Sequence, residues 1–277
     1  MPVERRIMLG APYAYHVSGR TALEQPVLAR EGVAADALDL LERLRRAFDL
    51  RLYAYAFTAT GYRLVLRHQG MLVDSDARLR ERWALLGSRT VPASARLRAR
   101  LTSLSGVMQT FLQRLARAHN ARAGTTGSIW AGRYRACLLA DDAAICAAIA
   151  AVGQEPGDAA TMTNSSRRNA GVPGDPVLSP PPFTATPAGE IIFADEAPRG
   201  LVARPATADG AVLSLLLDEF EPQDLDAYND ALQRGWALGR PESLTDALAR
   251  LDRGGGRGRR RQRHELFDSL GLCAVWG

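Results

Sequence analysis

Residues 51–66 read RLYAYAFTATGYRLVL. Two runs, RLYAYAF (51–57) and GYRLVL (61–66), alternate aromatic or aliphatic residues with smaller ones at a period of two, the pattern of strands with one packed face. A short Thr-rich turn joins them, so the stretch predicts a β-hairpin. Gly61 opens the second strand and Arg63 follows two residues on, on the same face, because side chains alternate along a strand. A glycine inside a strand lets another backbone or a ligand come close. The hairpin thus carries a gap and a fixed cation side by side.

The flanking sequence supplies partners for the hairpin. YAYHVSGR (13–20) predicts a strand, and AADALDLLERLRRAFDL (34–50) an amphipathic helix with Leu38, Leu41, Leu44, Ala47 and Phe48 on its sheet-facing stripe. A second helix is expected over 94–119, a strand over 127–139 and a short, almost wholly apolar helix over 141–153. The order strand, helix, hairpin, helix, strand, helix predicts an α+β fold: an antiparallel sheet with helices packed on one face. From 154 to about 205 the pattern dissolves into Pro, Gly, Ser and Thr, as in GDPVLSPPPFTATPAGE (174–190). Helical signal returns over 210–235 and 241–251, and the apolar end of HELFDSLGLCAVWG (264–277) is placed to dock back. The expected domains are therefore 1–160, a linker or crossing loop at 161–205, and a mainly helical C-terminal region at 206–277 with an Arg/Gly-rich tail.

All 35 basic residues are arginine, and their distribution is uneven. Residues 1–150 hold 22 arginines against 12 carboxylates, whereas 151–248 hold 6 against 15. The segment RLDRGGGRGRRRQRH (250–264) is basic again. A basic front half, an acidic spacer and a basic tail point to a polyanion, with nucleic acid the expected partner. No window reaches the roughly 18 uninterrupted apolar residues of a membrane span, and no signal peptide is visible. Cys137, Cys146 and Cys273 fall at no metal-ligand spacing, and His16, His68, His119 and His264 are scattered. These features predict a cytoplasmic protein with no cofactor or metal and no membrane contact.

In combination and in order, several segments resemble the REP-associated tyrosine transposases, a branch of the single-tyrosine HUH transposases. GAPYAYHVSGR (10–20) is similar to the family's opening GAPYHVTxRG, and residues 51–66 to its xHAYVLMPNHVHLLV. LSGVMQTFLQRLARAHNARAGTTGSIWAGRYRACLLADD (104–142) resembles LMQxLxRRYxxxxNRRxGRTGTLWEGRYRSxLVDS. NSSRRNAGVPGDPVLSPPP (164–182) and GWALGRPESLTDALARLDRGGGRGRRRQR (235–263) resemble the family's later segments. The resemblance implies a ferredoxin-like sheet that binds hairpin-forming single-stranded DNA. In active relatives two histidines hold a divalent metal and a tyrosine attacks the phosphodiester.

The chain departs from the family at those positions. Gly61 and Arg63 stand where the two histidines would be, Ala151 stands at the nucleophilic tyrosine, and Ala131 replaces the glutamate of LWEGRY. Tyr62 must point to the opposite face of its strand. The expectation is a catalytically inactive, transposase-derived protein that recognises hairpin-forming or palindromic DNA without cleaving it, working alone, as a homodimer or as a subunit of an assembly. Arg63 holds a DNA phosphate in place of the metal, or else pairs with a nearby acid or reaches solvent. Arg5, Arg6, Arg20, Arg133 and Arg135 are the other phosphate candidates. Tyr134 and Trp130 are candidates for base stacking, Trp130 alternatively being a core residue. Arg257, Arg259, Arg260 and Arg261, with Arg263, would add sequence-independent affinity. Two rival classes stay open: a divergent active transposase or nuclease on single-stranded DNA, and an interaction module without DNA affinity.

Overall fold

The hairpin of residues 51–66 sits inside a larger sheet in the computed structural model, which describes residues 13–22, 27–29, 32–68, 74–88, 90–153, 162–163, 183–185, 191–193, 222–252, 262–265 and 271–276. Its strands are β2 (Leu50–Thr58) and β3 (Gly61–His68), joined through Ala59 and Thr60, with Thr58 opposite Gly61 and Phe57 opposite Tyr62. A bulge at Tyr53 shifts the register between Leu52 and Ala54. Before the hairpin come β1 (Ala14–Arg20) and helix α1 (Val33–Phe48); after it come α2 (Asp76–Ala84), α3 (Ser94–Leu101), α4 (Leu104–Ala123), β4 (Arg135–Leu139) and α5 (Asp142–Gly153). β1 lies antiparallel to both β3 and β4. The resulting order β2-β3-β1-β4 is the ferredoxin-like arrangement.

The remaining described elements are β5 (Met162–Thr163), β6 (Phe183–Ala185), β7 (Ile191–Phe193), α6 (Pro222–Arg234), β8 (Ala237–Gly239), α7 (Pro241–Asp252), β9 (Gln262–Glu265) and β10 (Cys273–Trp276). The sheet runs β5-β2-β3-β1-β4-β8-β10-β9, and β6 and β7 form a separate two-stranded ribbon. The C-terminal region is therefore less helical than its sequence suggests, because three of its segments extend the main sheet. β8 lies parallel to β4: the Leu138 N–H donates to the Trp236 carbonyl at 2.9 Å and the Ala140 N–H to the Leu238 carbonyl at 2.9 Å. A β-carbon on Gly239 would lie 2.7 Å from that of Ala140, so only glycine allows this approach. Nor is 161–205 featureless, since β5 pairs with β2 and β6 with β7. The expectation that the chain end docks back is met by β10, which pairs with β8 and β9.

The α+β class stands, with one correction: helices cover both faces of the sheet. On one face α1 and α4 pack over Tyr15, Val17, Leu52, Tyr55, Phe57, Tyr62, Leu64 and Leu66. The rings of Phe57 and Tyr62 meet Phe111 of α4 at 6.4 and 5.7 Å. On the opposite face α5 lies over Ala14, Ala54, Ala56 and Val65, with α6 packed against it. The reason lies in side-chain size. Small residues on that side of β1 and β2 let a helix of alanines approach closely, and every residue of α5 from Asp142 to Val152 is buried. A helix buried all round has no amphipathic stripe to reveal which layer it joins.

The helix predicted over 94–119 is two helices. The Ser103 hydroxyl caps α4 by accepting the Gly106 N–H at 3.0 Å. Any β-carbon at Gly106 would collide with the Arg100 carbonyl at the end of α3. Among the described residues no helix is long and apolar enough to cross a membrane.

Asp141 couples the two ends of the chain. Its Oδ1 accepts the Ala144 N–H at 2.8 Å, capping α5, and its Oδ2 accepts the Arg240 N–H at 2.6 Å, just beyond β8. Asp141→Ala removes a helix cap and leaves a second amide without its acceptor. We expect it to cost about 2–4 kcal/mol in urea unfolding. Asp141→Asn keeps one acceptor and should cost clearly less; equal losses in the two variants would contradict this account.

Candidate nucleic-acid interface

The hairpin turn, the end of β1 and the approach to β4 meet at one end of the sheet. Arg20 ends β1, Arg63 is the third residue of β3, and Arg133 and Arg135 lie in the segment entering β4. These four arginines line one cleft of about 650 Å³, with Thr58 and Thr60 of the turn beside them. Among the described residues that line it there is no carboxylate. Arg20, Arg133 and Arg135 are exposed and Arg63 is half-buried.

Gly61 explains why the cleft can form. A β-carbon there would stand 3.0 Å from the Gly19 carbonyl and 3.4 Å from Thr58 Oγ1, in the floor of the cleft. Its neighbour Tyr62 points the other way, as strand alternation requires. Its ring lies over Gly19, where a β-carbon would come within 2.6 Å of the Tyr62 hydroxyl. The cleft therefore has a backbone floor, with the aromatic layer behind it.

Arg63 is held from a distance in sequence. Its Nη1 donates to Asn229 Oδ1 of α6 at 2.7 Å, and Arg135 Nη1 donates to the Gln233 carbonyl of the same helix at 3.2 Å. Nothing near residue 63 could have indicated that contact, which spans 166 positions. Although α6 comes from the acidic part of the chain, it reaches Arg63 through an amide. Its Asp230 is paired with Arg234 at 2.7 Å and its Asp224 is buried.

His16 lies on the same face as Arg63, one strand over and diagonally related, since its direct partner on β3 is Val65. It is 1% exposed and neither ring nitrogen completes a hydrogen bond. Burial, and then the positive charge of Arg63, lower its pKa to about 3, while the Leu232 backbone pulls the other way. The imidazole is thus neutral at pH 7.

This donor set does not fit the divalent metal of the transposases that the sequence resembles. Gly61 offers no ligand, Arg63 is itself a cation without an acceptor, and His16 is enclosed. Among the described residues no group of three or more His, Cys, Asp or Glu could hold a metal ion. Ala151 is fully buried in α5 and brings no nucleophile. The cysteines are free and buried, and burial pushes the Cys137 thiol up to about 12.

The aromatic candidates serve the core side. The Tyr134 hydroxyl lies 3.2 Å from Ser105 Oγ of α4, and its ring is buried. Trp130 meets Tyr62 edge-on at 5.5 Å and donates its Nε1–H to the Leu112 carbonyl at 3.0 Å. The strand expected over 127–139 begins only at Arg135, Trp130 making a single bridge to Thr21. Of the proposed phosphate ligands, the structure brings Arg20, Arg63, Arg133 and Arg135 together. Arg5, Arg6, Arg257, Arg259, Arg260 and Arg261 lie outside the described residues. Thr58 and Thr60 were legible as turn residues, but nothing in their pattern marked them as cleft walls.

Searches of family models, curated proteins and solved structures return no match to this chain.

The state of His16 predicts a pH dependence. Its folded pKa, about 3, lies below the ordinary value of 6.5, so the unfolded chain binds the proton more readily between those limits. Its contribution is fully present above pH 6.5 and is lost as pH falls toward 3. Between pH 7 and pH 5 stability should drop by about 2 kcal/mol. In His16→Leu that part of the slope should vanish, and a variant with the wild-type slope would assign the effect elsewhere.

Proposed function

We propose that this chain is a transposase-derived DNA-binding protein, related to the REP-associated tyrosine transposases, that grips DNA without cutting it. The observation that carries the reading is the cleft: four guanidinia and, among the described lining residues, no carboxylate around the two positions where those transposases place metal-binding histidines. A guanidinium offers a planar fork to phosphate oxygens and keeps its charge at any physiological pH. Held by Asn229, Arg63 presents a fixed positive charge beside a backbone floor, and Thr58 and Thr60 add hydroxyls. Such a site retains a phosphodiester, while the family's positions for the metal-binding histidines and the nucleophilic tyrosine carry Gly61, Arg63 and Ala151.

The substrate class follows from the resemblance: hairpin-forming single strands or palindromic repeats. The packed positions of the half-buried Trp130 and the buried Tyr134 favour contact through the backbone over base stacking. Three buried cysteines outside any disulfide fit a reducing compartment, and we place the protein in the cytoplasm.

The test is fluorescence anisotropy with hairpins taken from the DNA flanking the protein's own gene, with magnesium and with chelator, each sample then run on a denaturing gel. Binding should be independent of metal, without nicks or covalent adducts. Arg63→Ala/Arg133→Ala/Arg135→Ala should weaken it about 100-fold at physiological salt and lower the salt slope by about 2. Wild-type affinity in the triple variant would remove the cleft from DNA binding, and a covalent adduct would restore the enzyme reading.

A further inference from the structure

A second concentration of guanidinia lies on the helical layer, on other elements than those of the cleft. Arg96 and Arg100 stand one turn apart on α3, Arg114 and Arg117 one turn apart on α4, and Arg43 projects from α1. Arg100 lies over the Trp83 ring at 5.1 Å and donates to Thr110 Oγ1 at 3.2 Å. Arg114 donates to the Leu86 carbonyl and, at 2.6 Å, to Ser88 Oγ. All of those partners are neutral.

The nearby carboxylates are already engaged. Asp74 pairs with Arg82 at 2.6 Å, Asp76 with Arg98 at 3.3 Å and Glu81 with Arg78 at 2.7 Å. Asp39 takes Arg43 at 2.5 Å. Among the described residues no ion pair joins a carboxylate to Arg96, Arg100, Arg114 or Arg117. The crowding is felt: burial, and then Arg96, lower the pKa of Arg100, while burial followed by Arg117, Arg43 and Arg100 lowers that of Arg114. Arg96, Arg100, Arg114 and Arg117, gathered without ion-paired carboxylates among the described residues, oppose folding by mutual repulsion, and a bound polyanion relieves it.

We propose that this face of α1, α3 and α4 is a second nucleic-acid surface, one that takes a phosphate backbone without regard to sequence. Two pairs of arginines one turn apart set their β-carbons about 5–6 Å apart, the scale of the step between neighbouring phosphates of a strand. Forked guanidinia suit phosphate oxygens. An acidic peptide needs apolar anchors as well, and among the described residues of this part of the fold the large exposed apolar side chains are Leu85 and Val91. The proposal does not depend on the cleft.

The experiment uses the full chain and a fluorescent 30-base-pair duplex of arbitrary sequence, titrated across a range of salt. Arg96 and Arg117 are exposed, so Arg96→Ala/Arg117→Ala removes two charges while Arg100 and Arg114 keep their contacts. We expect about a tenfold loss of duplex affinity and a salt slope lower by about 2, with the thermal midpoint unchanged or raised. Arg96→Lys/Arg117→Lys should keep the wild-type slope, and the triple cleft variant should still lose affinity when the alanine pair is added. Wild-type affinity and slope in the alanine pair would overturn the proposal. So would equal losses in the lysine and alanine pairs, or loss of binding to polyglutamate with duplex binding intact. Failure of the cleft reading is scored separately, on the triple variant with hairpins.

Discussion

The rest of the structure depends on how β3 disposes of two arginines. Tyr62, Leu64 and Leu66 point to the α1 and α4 layer, so Gly61, Arg63, Val65 and Arg67 must point to the other side. That side is closed by α5, a helix of alanines with almost no polar group to offer. A guanidinium cannot shed its proton to enter such a layer, so each needs an acceptor or a path to water. Arg67 finds Asp142 at the start of α5, 3.7 Å away. Arg63 finds Asn229 on α6 and, at the mouth of the sheet, the cleft.

This constraint explains the role of the C-terminal region. α6 packs on α5 and supplies the amide that steadies Arg63, while β8 joins the sheet beside β4. Asp141 stands between them and accepts one amide from each part. The same contacts place Gln233 in the cleft wall, so a segment distant in sequence helps to shape the site. The acidic helix α6 reaches Arg63 through the Asn229 amide, and among the described residues that line the cleft there is no carboxylate.

The arrangement also separates charge from chemistry. Four guanidinia converge on one cleft, and the positions where the resembled transposases carry metal-binding histidines and a tyrosine hold Gly61, Arg63 and Ala151. His16, the one histidine on that face near Arg63, is neutral and enclosed by burial. In the proposed function such a site would hold a polyanion by electrostatics and hydrogen bonds, an affinity that salt weakens.

The sequence by itself determined the hairpin, the amphipathic α1 and the buried α5, because periodicity and turn residues report on a few neighbouring positions. It also showed that Gly61 and Arg63 share a strand face and that Tyr62 does not. Only the tertiary structure decided that α5 closes the second face, that the long helix breaks at Thr102 and Ser103 with Gly106 against the end of α3, and that β8, β9 and β10 extend the sheet. Each of these turns on close approach between segments far apart in the chain, which no local pattern records. The same holds for the pairing of Arg63 with Asn229 and the meeting of Arg20 with Arg133. A residue's type sets what it can bind, and packing against distant segments sets what it meets.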